Sequence, residues 1–435
     1  MLNHPIYEQL EKRILIIDGA MGTMLQAENL TPDDFGGEEL DGCNENLVIT
    51  RPDVIKKVHR AYLEAGADII CTNTFGGTPL VLNEYDLGDQ ADEINTLAEK
   101  LAKEAASEFS TSAWPRFVAG AMGPTTKTLS VTGGITFEEL EENFYKQAYS
   151  LVKAGSDLIL LETSQDMLNV KAATIGINRA FEELNTVLPV MISGTIEPMG
   201  TTLAGQSIEA FYISIEHIKP LSVGLNCATG PEFMTDHIRS LSDLATSYVS
   251  CYPNAGLPDE EGCYHETPDS LSKKLRGFAD KGWLNIVGGC CGTTPAHIAA
   301  IREAVDGHAP RKRPEKTHEH VVSGIEPLQY DDSMRPLFIG ERTNVIGSRK
   351  FKQLIIDGKF EEAAEIARAQ VKNGAHVVDI CLANPDRDEV EDMRNFMPEV
   401  VKKVKVPIVI DSTDEKVMEE ALKFCQGKAI INSIN

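Results

Sequence analysis

Eight short apolar runs punctuate the first 307 residues. They are RILIIDG (13–19), ADIICTNTF (67–75), RFVAGAMGP (116–124), SDLILLET (156–163), PVMISGTI (189–196), SVGLNCATG (222–230), TSYVSCYPN (246–254) and LNIVGGCCG (284–292). Most are continuous rather than alternating, which is the pattern of a parallel strand buried on both faces. Helical signals lie between them. The stretch 136–155 opens with a capping box, Thr136 with Glu139, and stops at Gly155. Pro52 and Pro268 fit first helical turns, Gly66 and Gly282 fit helix ends, and Thr294–Pro295 starts a helix just past the last run. Eight strand–helix units predict an α/β fold, a (β/α)8 TIM barrel over 1–307, with an open doubly wound sheet as the competing arrangement. Barrel chemistry sits at the C-terminal ends of strands. Polar residues gather at those ends: Asp18, Asn73, Glu162, Asn226 with Cys227, Asn254, and Cys290 with Cys291.

Residues 308–335 lose the periodicity and read as a linker, with Arg311 to Arg313 as solvated charge. The strand–helix rhythm then resumes over 336–435 with LFIGERTN (337–344), HVVDICLAN (376–384), PIVIDST (407–413) and AIINSIN (429–435). Four strands make the first half of a second barrel. Half a barrel leaves open edges, so the expectation is an N-terminal piece of a longer protein.

Composition narrows the class. A net charge of −25 repels a phosphate backbone, so nucleic acid is not an expected partner. No run of about 18 apolar residues exists and the N-terminus is polar, so neither a membrane span nor a signal segment is expected. Nine cysteines, an odd number without regular spacing, argue against a secreted disulfide framework and for a reducing, cytoplasmic setting.

Cys71, Cys251, Cys263, Cys381 and Cys425 read as inert thiols, and Cys43 is given no role. Cys227, Cys290 and Cys291 differ, because they fall at the ends of the sixth and eighth strands. Glycines at 288, 289 and 292 would let adjacent thiols turn toward one point. A dry packed pair is the bland alternative. Zn2+ is the better account, since it takes thiolates tetrahedrally and a catalytic site keeps three protein ligands and one open position. Three thiolates leave such a site net negative. It suits activation of a further thiol as a nucleophile, so thiol alkylation is the expected chemistry.

With those residues in place, GGCCGTTP, LNCATG, DGAMGTML (18–25) and AMGPT (121–125) resemble the zinc-dependent homocysteine S-methyltransferases. The resemblance implies Cys227, Cys290 and Cys291 as zinc ligands, with the homocysteine sulfur in the remaining position. It implies that Asp18, Gly19 and Glu162 hold the amino-acid end of homocysteine. A turn at Asp18 and a barrel salt bridge at Glu162 are the bland readings. IGERTNVIGSRKF (339–351), VIDST (409–413) and INSIN (431–435) resemble the start of a pterin-binding barrel, which implies Thr343, Asn344, Asp411 and Asn432 as pocket residues. CLANPDRDE gives little basis for assigning Asp379, and the role of Asn226 stays open.

The two regions in this order resemble the cobalamin-dependent methionine synthases. Those enzymes move a methyl group from 5-methyltetrahydrofolate to cobalamin, and from methylcobalamin to homocysteine, giving methionine. The resemblance implies a cobalamin-binding domain as partner, a module not expected within these 435 residues. Two alternatives stay open. One is a homocysteine methyltransferase using S-methylmethionine or betaine. The other is a structural zinc–thiolate site, closed by a fourth protein ligand such as His265 or His297.

Overall fold

The computed structural model describes residues 4–315 and 320–433. The last two residues of INSIN lie outside this range. Two compact units result, one of residues 1–203 and 218–315, the other of residues 204–217 and 316–435.

In the first unit the eight runs form eight parallel strands: β1 (Leu15–Ile16), β2 (Ile69–Cys71), β3 (Phe117–Met122), β4 (Leu158–Ser164), β5 (Val190–Gly194), β6 (Ser222–Asn226), β7 (Tyr248–Tyr252) and β8 (Ile286–Val287). They neighbour one another in sequence order and β1 pairs with β8. A parallel bridge between Ile17 and Ile69 brings β1 against β2 and closes the ring. Residues of the strands, including Leu15, Phe117, Leu158, Leu160, Met191 and Ile286, form one apolar core. The helix Pro5–Lys12 adds Ile6 and Leu10 to that core, so the polar-looking N-terminus plugs the barrel. The Thr136–Glu139 capping box forms as expected, and Gly155 ends its helix with a left-handed φ of 110°.

Within the basic cluster after the barrel, Lys312 is exposed but Arg311 is not solvated. Arg311 is 4% exposed and donates to the carbonyls of Ser242, Ala245 and Ser247 at the end of the helix Pro231–Leu244. A guanidinium satisfies several terminal carbonyls at once and sits well at the negative end of a helix dipole. Arg313 stacks its guanidinium 4.3 Å from the Tyr248 ring centroid. Charge counting along the chain misses this, because a buried arginine and a solvated one look alike in sequence. Arg311→Met is expected to cost about 2–4 kcal/mol of first-unit stability, since three carbonyls lose their donor. A urea titration followed by far-ultraviolet dichroism reads this as a lowered midpoint; an unchanged midpoint would show the bonds to be dispensable.

In the second unit β9 (Val321–Ser323) and β10 (Pro327–Gln329) make a short antiparallel hairpin inside the stretch read as a linker. Segment 204–217, which follows β5 in sequence, groups here: the Ser207 N–H donates to the Ile325 carbonyl at 3.0 Å. Four parallel strands follow, β11 (Ile339–Asn344), β12 (Val377–Cys381), β13 (Ile408–Asp411) and β14 (Ile430–Asn432), in sequence order. Helices between them bury Phe351, Ala363, Phe396 and Val400 in one apolar cluster, as in part of a second barrel.

Candidate active site

At the C-terminal mouth of the first barrel lies a cavity of about 250 Å³, lined among others by Asp18, Gly19, Glu45, Glu162, Cys227, Cys290 and Cys291. The three cysteines are the only group of His, Cys, Asp or Glu side chains, among the described residues, with ligand atoms close enough to share a metal: their atoms lie within 4.8 Å of one another. The Cys227 and Cys291 sulfurs are 3.7 Å apart. Bonds of about 2.3 Å at tetrahedral angles span an edge of about 3.8 Å between sulfurs, so this spacing fits zinc.

The backbone works to bring these thiols together. Cys227 and Ala228 take left-handed φ of 61° and 54°, each costing about 1–2 kcal/mol for a residue with a Cβ. The turn is held by Thr229 N–H on the Cys227 carbonyl at 2.6 Å and by Thr195 Oγ1 on the Asn226 carbonyl at 3.0 Å. At the adjacent pair the glycines meet two different needs. Gly292 has the left-handed φ, 79°, and a Cβ there would strike the Tyr264 ring at 2.3 Å. Gly288 has no room for a Cβ, which would lie 2.3 Å from the Ile17 carbonyl oxygen. The Cys291 N–H donates to Asn254 Oδ1 at 3.1 Å and fixes the pair against the loop after β7.

Electrostatics within the trio call for a cation. Hydrogen bonds from Cys227 and Cys290 hold the Cys291 thiol far below its ordinary range. Hydrogen bonding to Cys227 and Cys291, then burial, push Cys290 well up. Three partly buried sulfurs this close resist ionising together, and a divalent ion held among them would offset their repulsion.

Asp18 follows β1, is 5% exposed, and accepts the Cys71 N–H at 2.8 Å. Burial pushes its carboxyl up to about 7. Glu162 sits where β4 loses register with β5 between Leu161 and Ser164. Burial, then the nearby Asp18 charge, push its carboxyl up to about 8. Glu45, not singled out above, joins the same cavity; it accepts the Gly76 N–H at 2.7 Å and burial raises its carboxyl too. No arginine or lysine lines the cavity among the described residues. A pocket of carboxyl groups with no basic partner suits an ammonium group, whose charge would favour their ionised forms. Cys71 also lines it, and burial holds that thiol well above the ordinary range, so it stays protonated.

The two histidines considered as a fourth ligand are engaged elsewhere. His265 is exposed and lies 2.6 Å from Asp259. His297 closes the capping box at Thr294 and contacts the Glu266 carbonyl at 2.9 Å. Tyr264 hydrogen-bonds Cys291 and was not legible as a neighbour.

In the second unit Asp411 and Asn432 meet at the ends of β13 and β14, where Asn432 Nδ2 donates to Asp411 Oδ1 at 2.9 Å. Thr343 is fully buried and its hydroxyl donates to the Asp379 carbonyl. Asn344 Oδ1 accepts the Ile346 and Gly347 N–H groups at 2.9 and 3.0 Å, closing the loop after β11. Asp379, left unassigned from sequence, joins them: burial, then the Asp411 charge, push it up to about 6.

Comparison with known proteins agrees with this division. A homocysteine S-methyltransferase family model matches residues 15–305, and a pterin binding enzyme model matches residues 340–435. The oxidised and metallated crystal forms of the homocysteine methyltransferase MmuM from Escherichia coli share the fold, each with TM-score 0.57 and 23% identity over 69% of this chain and 99% of theirs. The apo form gives 0.52 at 22% identity, over 67% and 96%. The chain belongs to the homocysteine S-methyltransferase family and carries a pterin-binding domain after that region.

Proposed function

We propose that this chain performs the homocysteine and folate halves of the cobalamin-dependent methionine synthase reaction. The observation that carries the reading is the three-thiol corner of an anionic barrel mouth, followed in the same chain by a pterin-binding domain. Cys227, Cys290 and Cys291 would hold Zn2+; a metallated form of MmuM, a protein of the same fold, supports this. Zinc bound there would supply the charge that keeps the homocysteine sulfur a thiolate at neutral pH.

The chain's own residues do the rest. Asp18 and Glu162 receive the substrate ammonium. Gly19 beside Asp18 packs against Thr293 and Tyr62 with no room for a side chain, since a Cβ there would lie 2.8 Å from Thr293 Oγ1. The substrate sulfur attacks the methyl carbon, a sulfur–carbon bond forms, and the electron pair of the broken bond leaves with the donor. The donor in this reading would be methylcobalamin, and the demethylated cobalamin left by the transfer would regain its methyl group from 5-methyltetrahydrofolate, for which Asn344, Asp411 and Asn432 would form the site, with Thr343 bracing the strand end.

Zinc X-ray absorption of the purified chain tests the site. Three sulfurs and one lighter neighbour are expected, becoming four sulfurs with homocysteine; four sulfurs unmoved by homocysteine would mark a structural site. Methylcobalamin, betaine and S-methylmethionine, supplied side by side, test the donor, and turnover with betaine alone would reject methylcobalamin.

A further inference from the structure

Asn226 ends β6, one residue before Cys227, and is fully buried. A buried primary amide has two acceptor and two donor valences to satisfy. All four are used. Oδ1 accepts the Thr163 N–H at 3.0 Å and the Ser193 hydroxyl at 2.7 Å. Nδ2 donates to Thr163 Oγ1 at 2.8 Å and to Cys290 Sγ at 3.8 Å. The orientation is not arbitrary: a backbone N–H must meet the oxygen, so the nitrogen faces the sulfur.

Two functional groups hang from this one amide. Thr163 follows Glu162 and holds a left-handed φ of 54° at the register break in β4. Asn226 binds both its backbone and its hydroxyl, which fixes the direction in which Glu162 leaves the strand. Its other N–H reaches a sulfur that, as a thiolate, would share the corner with two more and then with the substrate's. A donor to a thiolate draws off part of the charge that would otherwise oppose a fourth anionic sulfur.

We propose that Asn226 is a positioning residue for the reaction, one amide that sets the thiolate corner and the Glu162 carboxylate in a fixed mutual geometry and relieves the charge on Cys290. The assignment rests on the zinc and homocysteine reading above. The bland alternative is an amide that merely braces the barrel rim.

The test compares Asn226→Asp with Ser193→Ala in the full chain. The first keeps both acceptor contacts and turns a carboxylate oxygen toward the sulfur. The second removes a partner of the same amide without touching the sulfur contact. Zinc affinity by chelator competition, homocysteine KM and thermal midpoint are read for each. Asn226→Asp is expected to weaken zinc about 10–100-fold and to raise KM at least as much. Ser193→Ala is expected to lower the midpoint while leaving zinc affinity within about two-fold. Asn226→Ser loses reach to the sulfur without adding charge, and covers the case in which the aspartate variant does not fold. Equal zinc loss in Ser193→Ala and Asn226→Asp, or no zinc loss in either Asn226 variant, overturns the assignment alone. A wild-type chain that takes up no zinc at the cysteines overturns it together with the reading it rests on.

Discussion

Replacing Cys291 with alanine is expected to cut methyl transfer to homocysteine by about 10³-fold or more and to leave the chain without stoichiometric zinc. The size follows from two losses. A free thiol with a pKa near 8.5 is only a few per cent thiolate at neutral pH, so losing metal activation removes about 30-fold. Losing the fixed position of the sulfur removes the orientation advantage as well, which is worth at least a comparable factor. Cys291 is the right residue to exchange. Its sulfur lies 3.7 Å from that of Cys227, and its backbone is pinned by Asn254, so removing its side chain leaves the loop in place. Cys425→Ala, in the apolar cluster of the second unit, is the matched control and should change neither zinc content nor transfer from methylcobalamin. Metal analysis after gel filtration with a single-turnover methyl transfer assay decides the matter. Full zinc in the Cys291 variant would remove the cysteines from the metal site.

Much of this arrangement was legible in the chain, and the reason is physical. Parallel strands buried on both faces must be continuous apolar runs, and a closed ring needs eight of them, so counting runs gave the barrel and put the cysteines at its mouth. Asp18 and Glu162 were legible because each ends such a run. Glu45 was not, because it sits in the long connection between β1 and β2, where strand-end logic is silent. Tyr264 was hidden for the same reason. Arg311 was misread as solvated because only the folded path of the chain shows which carbonyls need a donor there. The glycines of the cysteine loop were read as one device, although Gly288 answers to a close approach and Gly292 to a backbone angle. Steric need of the first kind comes from a strand 270 residues away in sequence and leaves no local mark. Asn226 shows the same limit: its position was visible, but the three residues that take its four hydrogen bonds come from β4, β5 and the loop after β8.

Exchanging Glu162 for glutamine is expected to raise the homocysteine KM by about 10²-fold and to change its pH dependence in a specific way. In the empty pocket burial holds Asp18 at about 7 and Glu162 at about 8, so both carry protons through much of the neutral range. Holding an ammonium ion requires the carboxylates. At pH 6, ionising Glu162 costs on the order of 3 kcal/mol and Asp18 on the order of 1 kcal/mol. Binding therefore releases protons, and affinity must rise with pH: by up to about two decades per pH unit below 7, and about one between 7 and 8, before the substrate thiol adds its own proton. The stability of the ligand-free chain runs the opposite way. Both folded-state values are raised, so their contribution is fully present below about pH 4 and is lost as pH rises through 7 and 8. Homocysteine should reverse that trend. Glu162→Gln removes one of the two carboxyl protons, so log KM against pH should lose about one unit of slope between 6 and 8 while kcat at saturating substrate changes less. Asp18→Asn should flatten the profile only below about 7. A glutamate that merely paired with a barrel cation would give a different signature, a stability loss with the KM profile unmoved. No arginine or lysine lines the cavity among the described residues to supply that pairing, which is why the proposed function assigns the substrate ammonium to these carboxylates.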